Sequence, residues 1–331
     1  MTPVPARSTA PGQQRPGLRP VTLERIESAV PDRTVRIEDL AERLGLRRAE
    51  VGVFRKIYGL DELRYDPDGT LFDLVLPPAR RALAALPEGG RIRYVLYAHT
   101  IHTLAPPSVD PARVIRDELG LHGAEAFAVG QQACVSSMGA IDIAGELLRA
   151  EAEDGYALVV AGERAFSPTV QLIPNTAIMA EAGGACLVGL GGRGDAVRSY
   201  VTRTLGEYAA GLLLTKEETR AYGLVYADAL AGVMRQAVAE AGLEFPDIEL
   251  VIPHNVNLIS WRNVIKEMGL EADRVFLENV PRYSHCYASD VFVNYTTLRD
   301  SGRLVDGRPY LLVSVGLGAT LGAMVITHRG R

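Results

Sequence analysis

Gln131-Gln-Ala-Cys-Val-Ser-Ser-Met-Gly139 follows the apolar run Ala126-Phe-Ala-Val129 and opens onto Met138 to Ala150, an apolar stretch at helical spacing. The pattern predicts a strand that delivers Cys134 to the start of a helix. A thiol at that junction meets unpaired backbone N–H groups and the positive end of the helix dipole, which favour thiolate. The same N–H groups can hold an oxyanion once sulfur attacks a carbonyl. Local sequence leaves two readings open: a nucleophile, or a small buried apolar residue, which is what most free cysteines are.

Working outward, the chain alternates strands and helices. Val21 to Val30 reads as a first strand, followed by short helices at Ile37 to Leu44 and Arg48 to Phe54 and a longer one at Leu71 to Leu86. Tyr94 to Ala98, Tyr156 to Ala161 and Ala185 to Leu190 read as buried strands, with a helix at Pro111 to Leu119 between the first two. The second half predicts a helix at Leu224 to Ala241, a strand at Ile248 to Pro253, and a helix at Val256 to Met268. A short strand at Val275 to Leu277, a helix at Ser289 to Ser301, and strands at Tyr310 to Val315 and Gly322 to Thr327 follow. Such alternation predicts α/β architecture. The recurring order suggests two duplicated halves, 21–195 and 196–331, without a residue-level repeat. Residues 1–20, rich in proline and arginine and without an apolar run, read as a flexible tail and not a secretory signal.

Bulk numbers narrow the function classes. The 331 residues are 47% hydrophobic and 23% charged, enough for a large core. A net charge of -5 argues against a general nucleic-acid binder. The three cysteines, Cys134, Cys186 and Cys286, are odd in number and widely spaced, so a reducing cytoplasm is expected and a disulfide framework is not. No run is long and apolar enough to span a bilayer. His99 and His102 have helical metal spacing but follow a strand and lack a third ligand, so no metal is expected.

Three further clusters carry chemistry. His254, in Pro253-His-Asn-Val-Asn257, sits between a buried strand and a helix, as a general base, an N–H donor or a helix cap. His285 and Asp290, in Tyr283-Ser-His-Cys-Tyr-Ala-Ser-Asp290, could be a base with its orienting acid, or a polar loop and an N-cap. Gly316-Leu-Gly-Ala-Thr320 is a glycine-rich turn that could offer a backbone N–H, or simply close a hairpin.

The ordered set (Cys after a strand, Glu181-Ala-Gly-Gly-Ala185, Pro253-His-Asn-Val-Asn257, Tyr283 to Asp290, then Gly316 to Ala319) resembles the ketoacyl-ACP synthase III branch of the thiolase superfamily. The likeness runs from about Val21 to the C-terminus. It implies a thiolase-like fold of two duplicated α/β halves in five layers, and a homodimer. It makes Cys134 the acyl-accepting nucleophile, His254 catalytic, and Asn257 a substrate-binding neighbour of the pantetheine arm. Oxyanion donors are expected at the backbone of Cys134, Gly318 and Ala319.

The departures redirect the chemistry. Condensing members carry Asn at the head of a G-N-T-S-A-A-S segment; here His285 takes that place and Asp290 replaces the final Ser. Carboxylate, His and Cys together make His a better proton acceptor. The resemblance is therefore to relatives that transfer acyl groups to hydroxyls or amines in natural-product pathways. The expected cycle moves acyl from acyl-CoA or an acyl carrier protein to Cys134, then to a small-molecule acceptor deprotonated by His254, itself oriented by Asp290 or His285. No cofactor is needed. The alternatives are a decarboxylative condensing synthase and a non-catalytic partner subunit. Tyr283, Tyr287, Phe166 and Trp261 are candidates for lining an acyl tunnel, and His122 and His328 read as surface residues.

Overall fold

The computed structural model describes residues 19–330; residues 1–18, most of the expected tail, lie outside the described residues. Nine strands form one mixed sheet: β1 (Val21–Ala29), β2 (Ile92–Ala98), β3 (Glu125–Val129), β4 (Tyr156–Glu163), β5 (Ala182–Leu190), β6 (Asp195–Thr204), β7 (Leu250–Pro253), β8 (Pro309–Gly316) and β9 (Thr320–Thr327). The order is β7-β8-β9-β6-β1-β5-β4-β2-β3.

The duplication is written in this order. From the centre outward the first half runs β1-β5-β4-β2-β3, with the first two pairings antiparallel and the last two parallel. The second half runs β6-β9-β8-β7 with the same senses. Its fifth member, expected as a strand at Val275 to Leu277, is reduced to one parallel bridge between Val275 and Val251. The halves join through Thr22↔Ala196 and Leu23↔Asp195.

Among the described residues seven helices of eight residues or more complete the layers: α1 (Arg48–Lys56), α2 (Leu71–Leu83), α3 (Pro111–Glu118), α4 (Ser136–Ala150), α5 (Lys216–Glu240), α6 (Leu258–Met268) and α7 (Asp290–Asp300). Strand alternation sends successive side chains to opposite faces. Val95, Tyr97, Leu158 and Val160 therefore pack on α2 and α3, whereas Leu96, Ala98, Val159 and Ala161 face inward onto α4 and α7. In the second half Val251, Leu311 and Val313 pack outward on α5 and α6, while Ile252 and Leu312 face the same central pair. The two halves of the one sheet enclose α4 and α7 and carry the other helices outside, so the layers read helix, half-sheet, helix, half-sheet, helix, a thiolase-like fold.

Some boundaries differ from the expectation. The helix expected at Ile37 to Leu44 is a 3₁₀ turn at Ile37–Leu40. Helix α5 starts eight residues before Leu224, because Thr215 Oγ1 accepts from Glu218 N and the Glu218 carboxylate accepts from Thr215 N, a capping box. Strand β6, Asp-Ala-Val-Arg-Ser-Tyr-Val-Thr-Arg-Thr, was not expected. Its outer half is exposed and mixes charge with apolar residues, which hides the strand period.

Candidate active site

The two central helices have matching entrances. A 3₁₀ turn, Ala133–Val135, precedes α4, and another, Tyr287–Ser289, precedes α7. Each opens on a non-glycine residue in the left-handed region, Ala133 at φ 49° and Tyr287 at φ 52°. Left-handed backbone at such residues costs on the order of 1–2 kcal/mol, so the surrounding packing must hold both turns in place. The first turn carries Cys134; the second is flanked by His285 before it and by Asp290, the first residue of α7, after it. The duplicated architecture thus points both helix entrances at one spot.

Cys134, 3% exposed, lines a cavity of about 420 Å³ together with His254, His285 and the Val315 to Ala319 turn. The second half buttresses the nucleophile turn. Ser314 Oγ donates to the Cys134 carbonyl at 2.9 Å. The backbone of Gly316 lies so close that a Cβ there would sit 2.2 Å from the Gln132 carbonyl oxygen and 3.2 Å from Cys134 N. Gly316, at the end of β8, is therefore the residue of the glycine turn that borders the Cys134 N–H. Gly318 and Ala319, the expected oxyanion donors, form the hairpin tip. Gly318 faces Ala209 and Gly211, and the Ala319 carbonyl accepts from Leu205 N at 3.0 Å.

Asp290 organises the basic side of the site. Its Oδ2 lies 2.5 Å from His285 Nδ1 and accepts from Asn255 N at 2.6 Å; its Oδ1 accepts from Cys286 N at 2.7 Å and Asn255 Nδ2 at 3.3 Å. Asn294 extends this buried network to Asn255 Oδ1 at 2.8 Å and the Pro253 carbonyl at 2.7 Å. A carboxylate so fully supplied with donors is held in one orientation. His285 and Cys134 line the same cavity, close enough for the Cys134 side chain to act on the His285 charge. Burial alone would lower the His285 pKa, but the Asp290 carboxylate, and then Cys134, reverse this and raise it to about 10.

His254 sits where expected, between β7 and α6, and of its two expected partners it neighbours His285. Asp290 reaches His285, not His254. The His254 ring packs edge-on against His285, with centroids 5.6 Å apart, and against Trp261 at 5.4 Å. Its Nδ1 is buried without a hydrogen-bond partner. Burial, then the neighbouring His285 charge, push its pKa well below the usual histidine range, so it is neutral. The acid pairs with His285 because both belong to the short segment entering α7, whereas His254 sits at the end of β7 with its carbonyl taken by Trp261 Nε1 at 2.8 Å.

Other expected residues lie outside the cavity. Asn257 caps α6: its Oδ1 accepts from Ser260 N at 2.7 Å and its Nδ2 donates to the Thr176 carbonyl at 2.9 Å. Both faces of the amide are used internally, although Thr176 and Val256 beside it line the cavity. Glu181 accepts from Arg164 Nε at 2.8 Å, Ala165 N at 2.9 Å and Asp66 N at 3.1 Å, a buried structural tie. Trp261 is core, Tyr287 donates to the Val170 carbonyl, Tyr283 stacks under Arg64, and Phe166 is exposed. None of these four is among the cavity's lining residues. His328 is not a free surface residue, since its Nδ1 lies 3.0 Å from Asp195 Oδ1.

The wall was missed in the sequence. It comes from the segment before α5 and from its first turns: Tyr208, Leu212, Leu214, Lys216, Thr219, Tyr222 and Tyr226. The three tyrosine rings pack in series, Tyr208 tilted on Tyr222 at 5.1 Å and Tyr222 edge-on to Tyr226 at 5.7 Å. Burial pushes the Tyr222 and Tyr226 hydroxyls up, so both are neutral donors. Tyr222 and Tyr226 stand four apart on α5, but the helix expected from Leu224 left Tyr222 outside it and hid the spacing. Among the described residues no group of acidic, His and Cys side chains could hold a metal ion, and no helix is long and apolar enough to cross a membrane.

Residues 238–328 match the family model for the C-terminal part of 3-oxoacyl-[acyl-carrier-protein] synthase III. A β-ketoacyl-[acyl-carrier-protein] synthase III from Symbiobacterium thermophilum is 27% identical, covering 93% of this chain and 98% of the relative. One from Mycobacteroides abscessus is 24% identical, covering 94% and 95%. Among solved structures, ChlB3, described as an acyltransferase, superposes with a TM-score of 0.81 at 20% identity over 94% of this chain and 98% of that one. The FabH synthase of Pseudomonas aeruginosa gives 0.76 at 20% identity over 94% and 99%. The fold is that of these solved structures, and in sequence the chain is ketoacyl-ACP synthase III-like.

Proposed function

We propose that the protein is an acyltransferase that carries an acyl group on Cys134 and delivers it to a hydroxyl or amine in natural-product biosynthesis. The observation that carries this reading is the Asp290–His285 pair set against the Cys134 sulfur. Nucleophile, base and orienting acid in that sequence are the parts of a triad. His285, protonated at neutral pH, is a counter-ion for a thiolate and a donor for the departing thiol.

The steps balance as follows. Cys134 sulfur attacks the thioester carbonyl of an acyl-CoA or acyl carrier protein. The oxyanion is held by the Cys134 N–H and by the glycine turn, with Gly316 nearest. The donor thiol leaves with the proton of His285. Neutral His285 then takes the proton of the acceptor's O–H or N–H, the acceptor attacks the acyl-Cys carbonyl, and the Cys134 thiolate leaves. Asp290 stabilises the imidazolium formed at each return. His254, neutral and with Nδ1 unsatisfied, is a hydrogen-bonding group for the acyl carbonyl or the acceptor.

The decarboxylative condensing reading has its own support: the curated relatives are named synthase III, and His254 and His285 sit side by side. Supplying acyl thioester with malonyl-carrier protein separates the two. Carbon dioxide release with a β-ketoacyl product would replace the transferase reading with the condensing one. A homodimer is supported by β3, which ends the sheet with a free edge and leaves Phe127 and Val129 only half-buried. Light scattering tests it, and a monomer at working concentration would remove it.

A further inference from the structure

A second carboxylate lies under the nucleophile. Glu163, the last residue of β4, is fully buried. Its Oε1 accepts from two consecutive backbone groups, Thr100 N at 2.7 Å and Ile101 N at 2.6 Å. The turn so clamped follows β2 and carries the Thr100 hydroxyl, whose Oγ1 lies 3.6 Å from Cys134 Sγ. Glu163 Oε2 is buried without a hydrogen bond of normal geometry. Among the described residues no Lys, Arg or His pairs with this carboxylate. The titratable groups that feel its charge are the hydroxyls of Tyr97, on β2, and Tyr287, in the turn before α7. Burial raises its pKa to about 7, against the pull of the Ile101 and Thr100 N–H groups, the Thr100 hydroxyl and the Ala288 N–H.

A buried carboxylate without a counter-ion is costly to keep, and a turn that needed only two N–H acceptors could use a carbonyl. The second arm from β4 to the sulfur gives it a specific task. We infer that Glu163 is a positioning residue for the nucleophile: it fixes the Thr100–Ile101 turn so that the Thr100 hydroxyl donates to the Cys134 sulfur, a second donor beside His285. This rests on Cys134 being the reactive thiol, but not on which acyl donor or acceptor is used. Thr100 moves no proton off the sulfur. Its hydroxyl stabilises the thiolate both before attack and as the leaving group of deacylation.

The test is the pH–rate profile of Cys134 alkylation by iodoacetamide, followed by peptide mass so that Cys186 and Cys286 are counted separately. Thr100→Val and Glu163→Gln should each move the profile to higher pH, slowing alkylation about tenfold below the midpoint. Thr100→Ser should restore it. The double variant should be no slower than Thr100→Val alone, because both changes remove one donor. The sign separates this from a bare charge effect: losing a negative charge near sulfur would move the profile to lower pH, and that result for Glu163→Gln overturns the inference. So does an unmoved profile, or additive slowing in the double variant. Should Glu163→Gln not fold, the Thr100 pair decides, and a Thr100→Ser variant as slow as Thr100→Val overturns the inference. Absence of any acyl adduct with thioester donors would refute the transferase reading and leave this profile unaffected.

Discussion

Asp290 Oδ2 and His285 Nδ1 stand 2.5 Å apart, both buried, and His285 lines the cavity that also holds Cys134. The pair is local in sequence, five residues apart at the entrance of α7, while its target comes from the equivalent entrance of α4 in the other half. The candidate site therefore forms where the two halves meet.

Removing the acid's charge should uncouple orientation from presence. Asp290→Asn keeps the size but offers His285 Nδ1 either an amide donor or a weaker acceptor. Transfer from a preformed acyl-enzyme should fall roughly 10²–10⁴-fold, with substrate affinity little changed. Single-turnover rates check this, and a loss below about threefold would remove Asp290 from the triad.

The pair also predicts how stability follows pH. His285 is raised to about 10, above the roughly 6.5 of an unfolded histidine. Its stabilisation is therefore fully present below about pH 6.5 and is lost as pH climbs through the folded value. Denaturant unfolding of the wild type and of His285→Gln at about pH 6, 8 and 10 should show the wild-type advantage shrinking as pH rises. An advantage that widened instead would mean the histidine is neutral in the fold.

Gly316 has room for no side chain. A Cβ would press on the Gln132 carbonyl and approach Cys134 N, in the backbone that the reaction needs rigid. Gly316→Ala should cost about 1–3 kcal/mol of stability and slow acylation of Cys134 more than it weakens donor binding. Unfolding curves with acylation kinetics test both halves. The same substitution at Gly307, with nothing within 4 Å but φ 76°, serves as a control for backbone strain alone.

Much of this was legible in the sequence, for identifiable reasons. Buried strands such as Tyr156 to Ala161 announce themselves because both faces are covered, so apolar residues run without interruption. Cys134, His254 and His285 were findable because each follows a strand or precedes a helix, where short loops aim side chains at a shared face. What the sequence concealed is distance. Asp290 could serve either histidine on paper; only the fold shows that α7 gives it to His285. Asn257 looked like a ligand contact, yet a residue before a helix is first a cap, and its amide is consumed as one. The cavity wall was misassigned to Trp261 and Tyr287, whereas it comes from Tyr208, Tyr222 and Tyr226, on a segment whose exposed leucines and polar residues mask its role.

The most direct test of the account is a chase of the acyl-enzyme. Wild type and Cys134→Ala are exposed to an acyl thioester, intact mass is recorded, and the loaded enzyme is given either a hydroxyl or amine acceptor or a malonyl thioester. The account predicts one adduct on the wild type and none on Cys134→Ala, with the adduct lost to the acceptor in a step that slows in Asp290→Asn and releases no carbon dioxide. Discharge by the malonyl thioester alone, with carbon dioxide and a β-ketoacyl product, would contradict it.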